Sequence, residues 1–266
     1  MSEHRKYIIY SLAFYAVYSA GLALLGYFRI GLLADDYLNF FDALNSTIYQ
    51  KINGILPFTN AFHIRPVYYL SLEKSVLIHD WFGFAYDNFA WYRLQNLLLL
   101  LLIAFVSGLT VLHTTKKMSV SLIATVTILL FPNNVNNICW LAARVDLICC
   151  FFYIMSVYFF LLYYDHRKSY FLGLSILAFL LSLLTKELAI TLPFTVLLLS
   201  YFMYGKEGIK KSLSLFVPML FIFILYFVWR IFLLGNNVID IATLYQSVPL
   251  SNAPGVMARG FISLTI

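Results

Sequence analysis

Charge is what this 266-residue chain has least of. Only 11% of its residues are Asp, Glu, Lys or Arg, whereas 62% are hydrophobic, and its mean hydropathy is +0.84. Soluble domains contain about 45–50% apolar and about 25% charged residues. The composition therefore excludes an ordinary soluble domain. It predicts an all-α, polytopic membrane protein with about seven or eight transmembrane helices.

Cysteine and histidine are also scarce. The three cysteines, Cys139, Cys149 and Cys150, lie in or beside one apolar segment, and no two of them have C-x-x-C spacing. The five histidines are scattered without the spacing of metal ligands. These patterns indicate neither a disulfide framework nor a zinc site, and they predict that the cysteines are small packing residues.

Basic residues form no block long enough to bind nucleic acid, although the net charge is +6. Most Lys and Arg residues fall in short clusters between apolar runs, which is typical of cytoplasmic loops. We therefore expect a lipid bilayer, and no nucleic acid, as the partner of this charge. The first apolar run is too long for a cleaved signal peptide, so it is predicted to stay as an anchor.

The apolar segments divide the chain into a single membrane domain, residues 1–266. TM1 is predicted at 7–30, and an extracytoplasmic loop with two interfacial helices at 31–90, where Pro66 begins the second helix. A second extracytoplasmic loop follows at 235–255. Residues 256–266 resemble the start of TM8, so we expect an N-terminal portion of a longer protein. The predicted spans TM2 to TM7, within 91–234, are 91–113, 119–132, 138–164, 170–185, 188–204 and 212–234.

The basic clusters predict the orientation of the chain. An even number of predicted spans separates each cluster from the next, so all should lie on one side, which the positive-inside rule makes cytoplasmic. The N-terminus is then cytoplasmic. The 31–90 loop, the residues around Arg144 and the 186–187 corner share the opposite side. The clusters are Arg5-Lys6, Lys116-Lys117, Arg167-Lys168 and Lys206 to Lys211.

Two adjacent carboxylates, Asp35 and Asp36, follow TM1 in a chain with only twelve acidic residues. One Asp is enough to cap a helix N-terminus. Neighbouring residues of a helix lie about 100° apart around its axis, so one Asp can cap while the other faces a cavity. A free carboxylate there can deprotonate an acceptor hydroxyl, or the pair can share a divalent cation. No other cofactor is indicated.

Further charged residues are predicted on the same side. Arg65 can meet lipid headgroups or bind a phosphate with its forked guanidinium. Arg144 and Asp146 lie inside a span, where ionisable residues are costly and need partners. Because two residues of separation places them on nearly opposite helix faces, each needs a partner from another element. Lys186 and Glu187 occupy a tight corner between spans, where the lysine can contact an anionic ligand.

These motifs, in this order, resemble the GT-C superfamily of membrane glycosyltransferases, and most of all its protein O-mannosyltransferase and aminoarabinose transferase-like branches. The resemblance covers nearly the whole chain. The motifs that carry it are Ala34-Asp35-Asp36-Tyr37, Arg65-Pro66-Val67, Arg144-Val145-Asp146 and Thr185-Lys186-Glu187.

The resemblance implies an inverting transfer of a sugar from a polyprenyl-phosphate donor to a hydroxyl acceptor on the extracytoplasmic side. The acceptor can be a glycan, a lipid or a protein. Asp35 would be the base, with Asp36 its neighbour or a metal contact. Arg65, Arg144 and Lys186 would hold the lipid phosphate.

The resemblance also implies that Asp146 and Glu187 are supporting residues beside these three basic side chains. The alternative is a non-enzymatic membrane protein: a transporter, a flippase or a structural subunit. The intramembrane charges would then line a permeation path.

Overall fold

A computed structural model of the chain describes residues 3–33, 36, 65–85 and 88–234, the side chains of 211 and 230–234 excepted. Every regular element within these ranges is helical, which confirms the predicted all-α class for this part of the chain. Asp35, the first predicted interfacial helix, the 235–255 loop and the start of TM8 lie outside the described residues.

The helices follow the apolar segments of the sequence. They are α1 (Glu3–Leu24), α2 (Pro66–Trp81), α3 (Ala90–Thr115), α4 (Met118–Leu130), α5 (Pro132–Cys139), α6 (Arg144–His166), α7 (Ser169–Leu183) and α8 (Leu192–Leu234). Short 3-10 turns at Tyr27–Arg29, Leu141–Ala143 and Glu187–Thr191 join some of them. Pro66 stands in the first turn of α2, as the sequence predicts, because its missing N–H has no intrahelical partner there.

Helix α8 is a hairpin. Gly205 has φ +65° and ψ −154°, which only glycine adopts without strain. The rings of Phe194 and Phe216 lie 6.0 Å apart, whereas 22 residues of straight helix span about 33 Å. The arms 192–204 and 206–234 therefore run antiparallel. This agrees with two predicted spans meeting at this point.

Among the described residues, five helical segments are long and apolar enough to cross a membrane, and α4 with α5, bent by 52°, makes a sixth if the pair is one span. The chain is thus a multi-pass membrane protein. The predicted count of seven or eight is not confirmed. Helix α4 has 13 residues and α7 has 15, and each is shorter than the ~20 residues that a ~30 Å core requires.

Contacts bring the turns with basic residues to one end of the bundle. His113 Nε2 lies 2.9 Å from Asp165 Oδ2, and the rings of Tyr164 and Tyr204 stack with centroids 3.7 Å apart. Those contacts join the ends of α3 and α6 to the α8 hairpin. Tyr7 ties α1 to the same half of the bundle. We call the end with residues 113–118, 163–168 and 204–210 the basic end.

Candidate functional site

The opposite end of the bundle is organised around Asp36, which is completely buried. Its Oδ2 accepts hydrogen bonds from the N–H groups of Leu33, at 2.9 Å, and Leu141, at 3.3 Å. Its Oδ1 accepts one from the N–H of Ala142 at 2.6 Å. The N–H groups of Leu141 and Ala142 lie in the turn that leads into α6, and they have no intrahelical partner of their own. Asp36 is therefore the capping member of the acidic pair.

Arg144 is buried at the start of α6 and joins three helices. Its Nε donates to Asn96 Oδ1 at 2.8 Å and one terminal nitrogen donates to Ser75 Oγ at 2.6 Å. The other terminal nitrogen donates to the carbonyl of Tyr92 at 3.0 Å. A buried guanidinium is costly unless its donors are satisfied, and here each nitrogen has an acceptor.

Arg93, near the start of α3, is a second fully buried arginine. Its three nitrogens donate to the carbonyls of Ile30, Gly31 and Cys139, the first at 2.8 Å. The side chain thereby fixes the segment after α1 and the end of α5 against α3. All of its acceptors are backbone atoms, so its role is to hold the chain at this end.

Two ion pairs lie beside these residues. Lys186 Nζ pairs with a carboxylate oxygen of Asp146, and Arg65 lies 3.7 Å from Glu187 across the junction of α2 and the 187–191 turn. Asp146 and Arg144 therefore take different partners, as their spacing predicts. Both ion pairs are partly exposed, so solvent weakens them, and a stronger anion can compete for either cation.

Tyr68 carries a buried polar group that lacks a hydrogen-bond partner in the described part of the chain. Its ring is 3% exposed, and its hydroxyl has no hydrogen-bond partner among the described residues. Burial raises the pKa of the Tyr68 phenol above its ordinary value, against the opposing charge of Arg144, and the Asp36 carboxylate raises it further. The phenol therefore stays protonated and is a donor without an acceptor. The Nε of Arg65 is a second buried donor in the same condition.

A cavity of about 420 Å³ opens between α2, α3 and α6, and we call it the cationic cavity. Arg144 and Lys74 supply its positive charge, with Ser71, Ser75 and Gln95 nearby. Lys74 is exposed and makes no ion pair with a described residue. The rest of the lining is apolar: Val67, Leu70, Leu99, Ile148, Phe151 and Phe152.

A second cavity, of about 460 Å³, lies on the other face of α6, and we call it the Asp146 cavity. Its polar groups are Asp146, Asn134, Asn137, Tyr153 and Thr191. The remainder of the lining is made of Leu, Ile and Cys side chains from α3, α4, α6 and the 187–191 turn. The two cavities are thus separated by one helix and differ in charge.

A shared divalent cation does not fit Asp36. Its two oxygens already accept three backbone N–H groups, out of about four lone-pair sites, and the side chain is completely buried. Within the described ranges, no group of three or more His, Cys, Asp or Glu side chains is placed to hold a metal ion. Asp35, the other predicted metal contact, falls outside those ranges.

The structure brings the described members of the predicted site to one end of the bundle. Asp36, Arg144 and the Asp146–Lys186 pair all meet the first turns of α6, and the Arg65–Glu187 pair lies next to Lys186 in the chain.

Sequence reasoning gave no role to Arg93, Asn96, Lys74 or Tyr68. Arg93 and Asn96 carried a usable signal, because they are polar residues one helical turn apart in an otherwise apolar helix. Lys74 and Tyr68 carried none, because each resembles an ordinary residue of an interfacial helix.

Comparison of the chain with family models, with curated proteins and with solved structures finds no match.

Proposed function

We propose that this protein is a membrane glycosyltransferase that moves a sugar from a polyprenyl-phosphate donor to a hydroxyl acceptor. The observation that carries the proposal is the cationic cavity. Arg144 and Lys74 provide positive charge for a phosphate, and the apolar walls below them provide room for the first isoprene units. Asp36 contacts Leu141 and Ala142, three and two residues before Arg144 in the chain, so Asp36 and the cavity belong to one end.

The reaction requires one base and fixed positive charge. The acceptor oxygen bonds to the anomeric carbon while the bond from that carbon to the phosphate oxygen breaks, which inverts the configuration. The acceptor proton passes to Asp35, and the phosphate leaves with the bonding electron pair. A positioned base contributes about 10²–10⁴-fold. Cations at the leaving phosphate contribute where negative charge develops.

The arrangement around Asp36 supports the assignment of the base to Asp35. The Asp36 carboxylate is occupied by backbone donors and has no exposure to solvent or ligand. Of the acidic pair, Asp35 is the member left for chemistry in this proposal, and Asp36 positions it. Arg65 is proposed to contact the phosphate after leaving Glu187, whereas Lys186 stays paired with Asp146 on the other face of α6.

The location of the cavities favours an enzyme over a transporter. Both described cavities take their α3 lining from residues 95–103, towards the start of that helix. Neither is lined by a residue near Lys116 at the basic end. A transporter needs an aqueous path that reaches both sides in turn, whereas a transferase acting on lipid-linked substrates needs a groove at one side only.

The test is donor cleavage by the full chain in proteoliposomes, with a panel of polyprenyl-phosphate sugars. We expect Asp35→Asn to lower cleavage by about 10²-fold or more with an unchanged melting temperature, because it removes a base and no helix cap. Asp36→Asn is the matched control. It should lower the melting temperature, because an amide nitrogen cannot accept the N–H of Ala142 or Leu141. Full activity of Asp35→Asn would remove the proposal.

A further inference from the structure

We propose that the Asp146 cavity binds a membrane lipid with an uncharged sugar or polyol head, and that this lipid is the acceptor of the transferred sugar. This inference rests on the proposed function, which leaves a glycan, a lipid and a protein as acceptors. Three properties of the cavity select the lipid: the chemistry of its polar groups, the apolar wall below them, and its separation from the cationic cavity.

The polar groups of the cavity suit hydroxyls. Carboxylate and carboxamide oxygens accept hydrogen bonds from hydroxyls, and amide N–H₂ groups donate to them. Asp146 presents a carboxylate that is 37% exposed, and the Asn137 carboxamide makes no hydrogen bond to any described residue. The Asn134 amide nitrogen donates to the carbonyl of Ile128, and its side-chain oxygen accepts no hydrogen bond from a described residue.

The charge of the cavity selects an uncharged head. Its described lining contains a carboxylate and no Lys or Arg. Lys186 neutralises Asp146 from the side, so the pair attracts neither a phosphate nor a cation strongly. An anionic head would lie against the Asp146 carboxylate without a cation of its own, whereas the cationic cavity offers Arg144 and Lys74.

The apolar wall selects a lipid over a soluble glycan. The lining residues of α6 run from Asp146 to Ile154, which is about 12 Å along the helix, and most of the groups below Asp146 are hydrocarbon. A free sugar has no part that could cover that wall. The rim includes Leu188, which is 60% exposed, and Cys150, which is also exposed. The cavity therefore opens on the apolar outer surface of the bundle, where an acyl chain can enter sideways.

The separation of the two cavities permits two lipids at once. They occupy opposite faces of α6, and the first turn of that helix contributes Arg144 to the cationic cavity and Asp146 to the Asp146 cavity. A donor in the cationic cavity and an acceptor in the Asp146 cavity would meet above the first turn of α6. The bonds that form and break, and the path of the proton to Asp35, are those of the proposed transfer, with the lipid hydroxyl as the attacking oxygen.

The activity test uses proteoliposomes of phosphatidylcholine that contain monoglucosyl-diacylglycerol and a labelled polyprenyl-phosphate sugar. We expect label in the glycolipid, and we expect Cys150→Phe, which fills the cavity, to lower that transfer by about ten-fold or more. Leu177→Phe, on the exposed face of α7, adds the same ring outside both cavities and should transfer normally.

Two results would overturn the lipid assignment while keeping the transferase. One is faster transfer to a soluble glycan or a peptide than to the glycolipid, and the other is normal glycolipid transfer by Cys150→Phe. If no donor is cleaved under any condition, the proposed function fails instead.

A binding measurement is independent of catalysis. Cys150 lines the cavity, so its modification by a small maleimide reports occupancy. The measurement uses the Cys139→Ser background, in which Cys149 is buried. Modification should slow in nanodiscs with monoglucosyl-diacylglycerol relative to phosphatidylcholine alone, and it should not slow with phosphatidylglycerol. Equal rates in all three would refute the site, and slowing by phosphatidylglycerol alone would refute the uncharged head.

Discussion

The two ends of this bundle are held together by different physical means. At the end that contains Asp36, buried charges donate to or accept from backbone groups, as in the three carbonyls that Arg93 satisfies. In the half of the bundle nearer the basic end, small and hydroxyl residues let the helices approach closely. There Tyr7 donates to the carbonyl of Phe105 and contacts Thr125, beside Gly108.

This difference separates charges that stabilise the fold through particular partners from charges whose effect depends on their total number. A buried Arg93 or Asp36 has named partners, so its removal leaves particular groups unsatisfied. The lysines at the basic end are exposed, and the positive-inside rule depends on their total number near the span ends. Single substitutions of charged residues should therefore lower stability strongly at the Asp36 end and only slightly at the basic end.

The largest effect is expected from Arg93→Ala. Three partly buried carbonyls lose their donor together with a fully buried side chain, and we expect a loss of about 3–5 kcal/mol in the free energy of unfolding. Lys117→Ala, at an exposed position of the basic end, is the matched control and should change stability by less than about 0.5 kcal/mol. Thermal unfolding in detergent measures both. Similar losses in the two variants would erase the contrast between the ends.

Gly108→Ala probes the close packing of the other half. A Cβ at this position would overlap the Tyr7 hydroxyl and the Thr125 side chain, so we expect a loss of about 1–3 kcal/mol. Gly173→Ala is the control, because nothing lies within 4 Å of a Cβ built there. Its stability should equal or exceed that of the wild type. If both alanines are neutral, close helix approach does not hold this half.

Tyr68→Phe separates stability from function at the Asp36 end. Removing a buried hydroxyl without a partner should raise the free energy of unfolding by about 1 kcal/mol. If a ligand accepts this hydrogen bond, sugar transfer should fall in the same variant. A stabilised variant with full transfer would show that the hydroxyl meets no substrate.

The same variant has a pH signature. Burial raises the pKa of Tyr68 in the folded state, so its contribution is complete below the unfolded pKa of about 10 and is lost as pH rises above it. Melting curves above that pH should therefore fall more steeply for the wild type than for Tyr68→Phe. Parallel curves would contradict the burial of this phenol.

The smallest effect is expected from Lys116→Gly at the basic end. Lys116 ends α3 with φ +57°, a left-handed conformation in which glycine is less strained. We expect a gain of about 0.5–1 kcal/mol. Lys117→Gly removes the same charge at φ −114° and should give no gain, which separates the backbone effect from the charge effect.

The sequence allowed the long apolar helices to be predicted, because their apolar length specifies them, whereas helix α5 covers a polar run that the sequence suggested was a turn. The sequence also predicted that Arg144 and Asp146 take separate partners, and it left open that one Asp of the pair accepts backbone N–H groups, as Asp36 does at the turn before α6. Which Asp does so depends on the path of the chain near Leu141, about a hundred positions later, and no local pattern contains that information. The predicted number of spans is not confirmed because the apolar runs of α4 and α7 are shorter than a membrane is thick.

The cavities could not be predicted for a related reason. The cationic cavity combines Lys74 from α2 with Arg144 from α6, and their meeting depends on how Ser75, Gln95 and Asn96 pack. Each of these polar residues is unremarkable in its own segment. Only the packed bundle shows that they surround an apolar space with positive charge at one side.

The hairpin at Gly205 has a consequence for how the chain tolerates change. The reversal uses a single glycine with no spare residues beside it, and Phe194 and Phe216 stand equally far from it on either arm. One inserted residue would turn the whole second arm by about 100° and carry its inner side chains away from their partners. Length changes at this point should therefore be as disruptive as a substitution in the interior, even though the position is exposed at the tip of a turn.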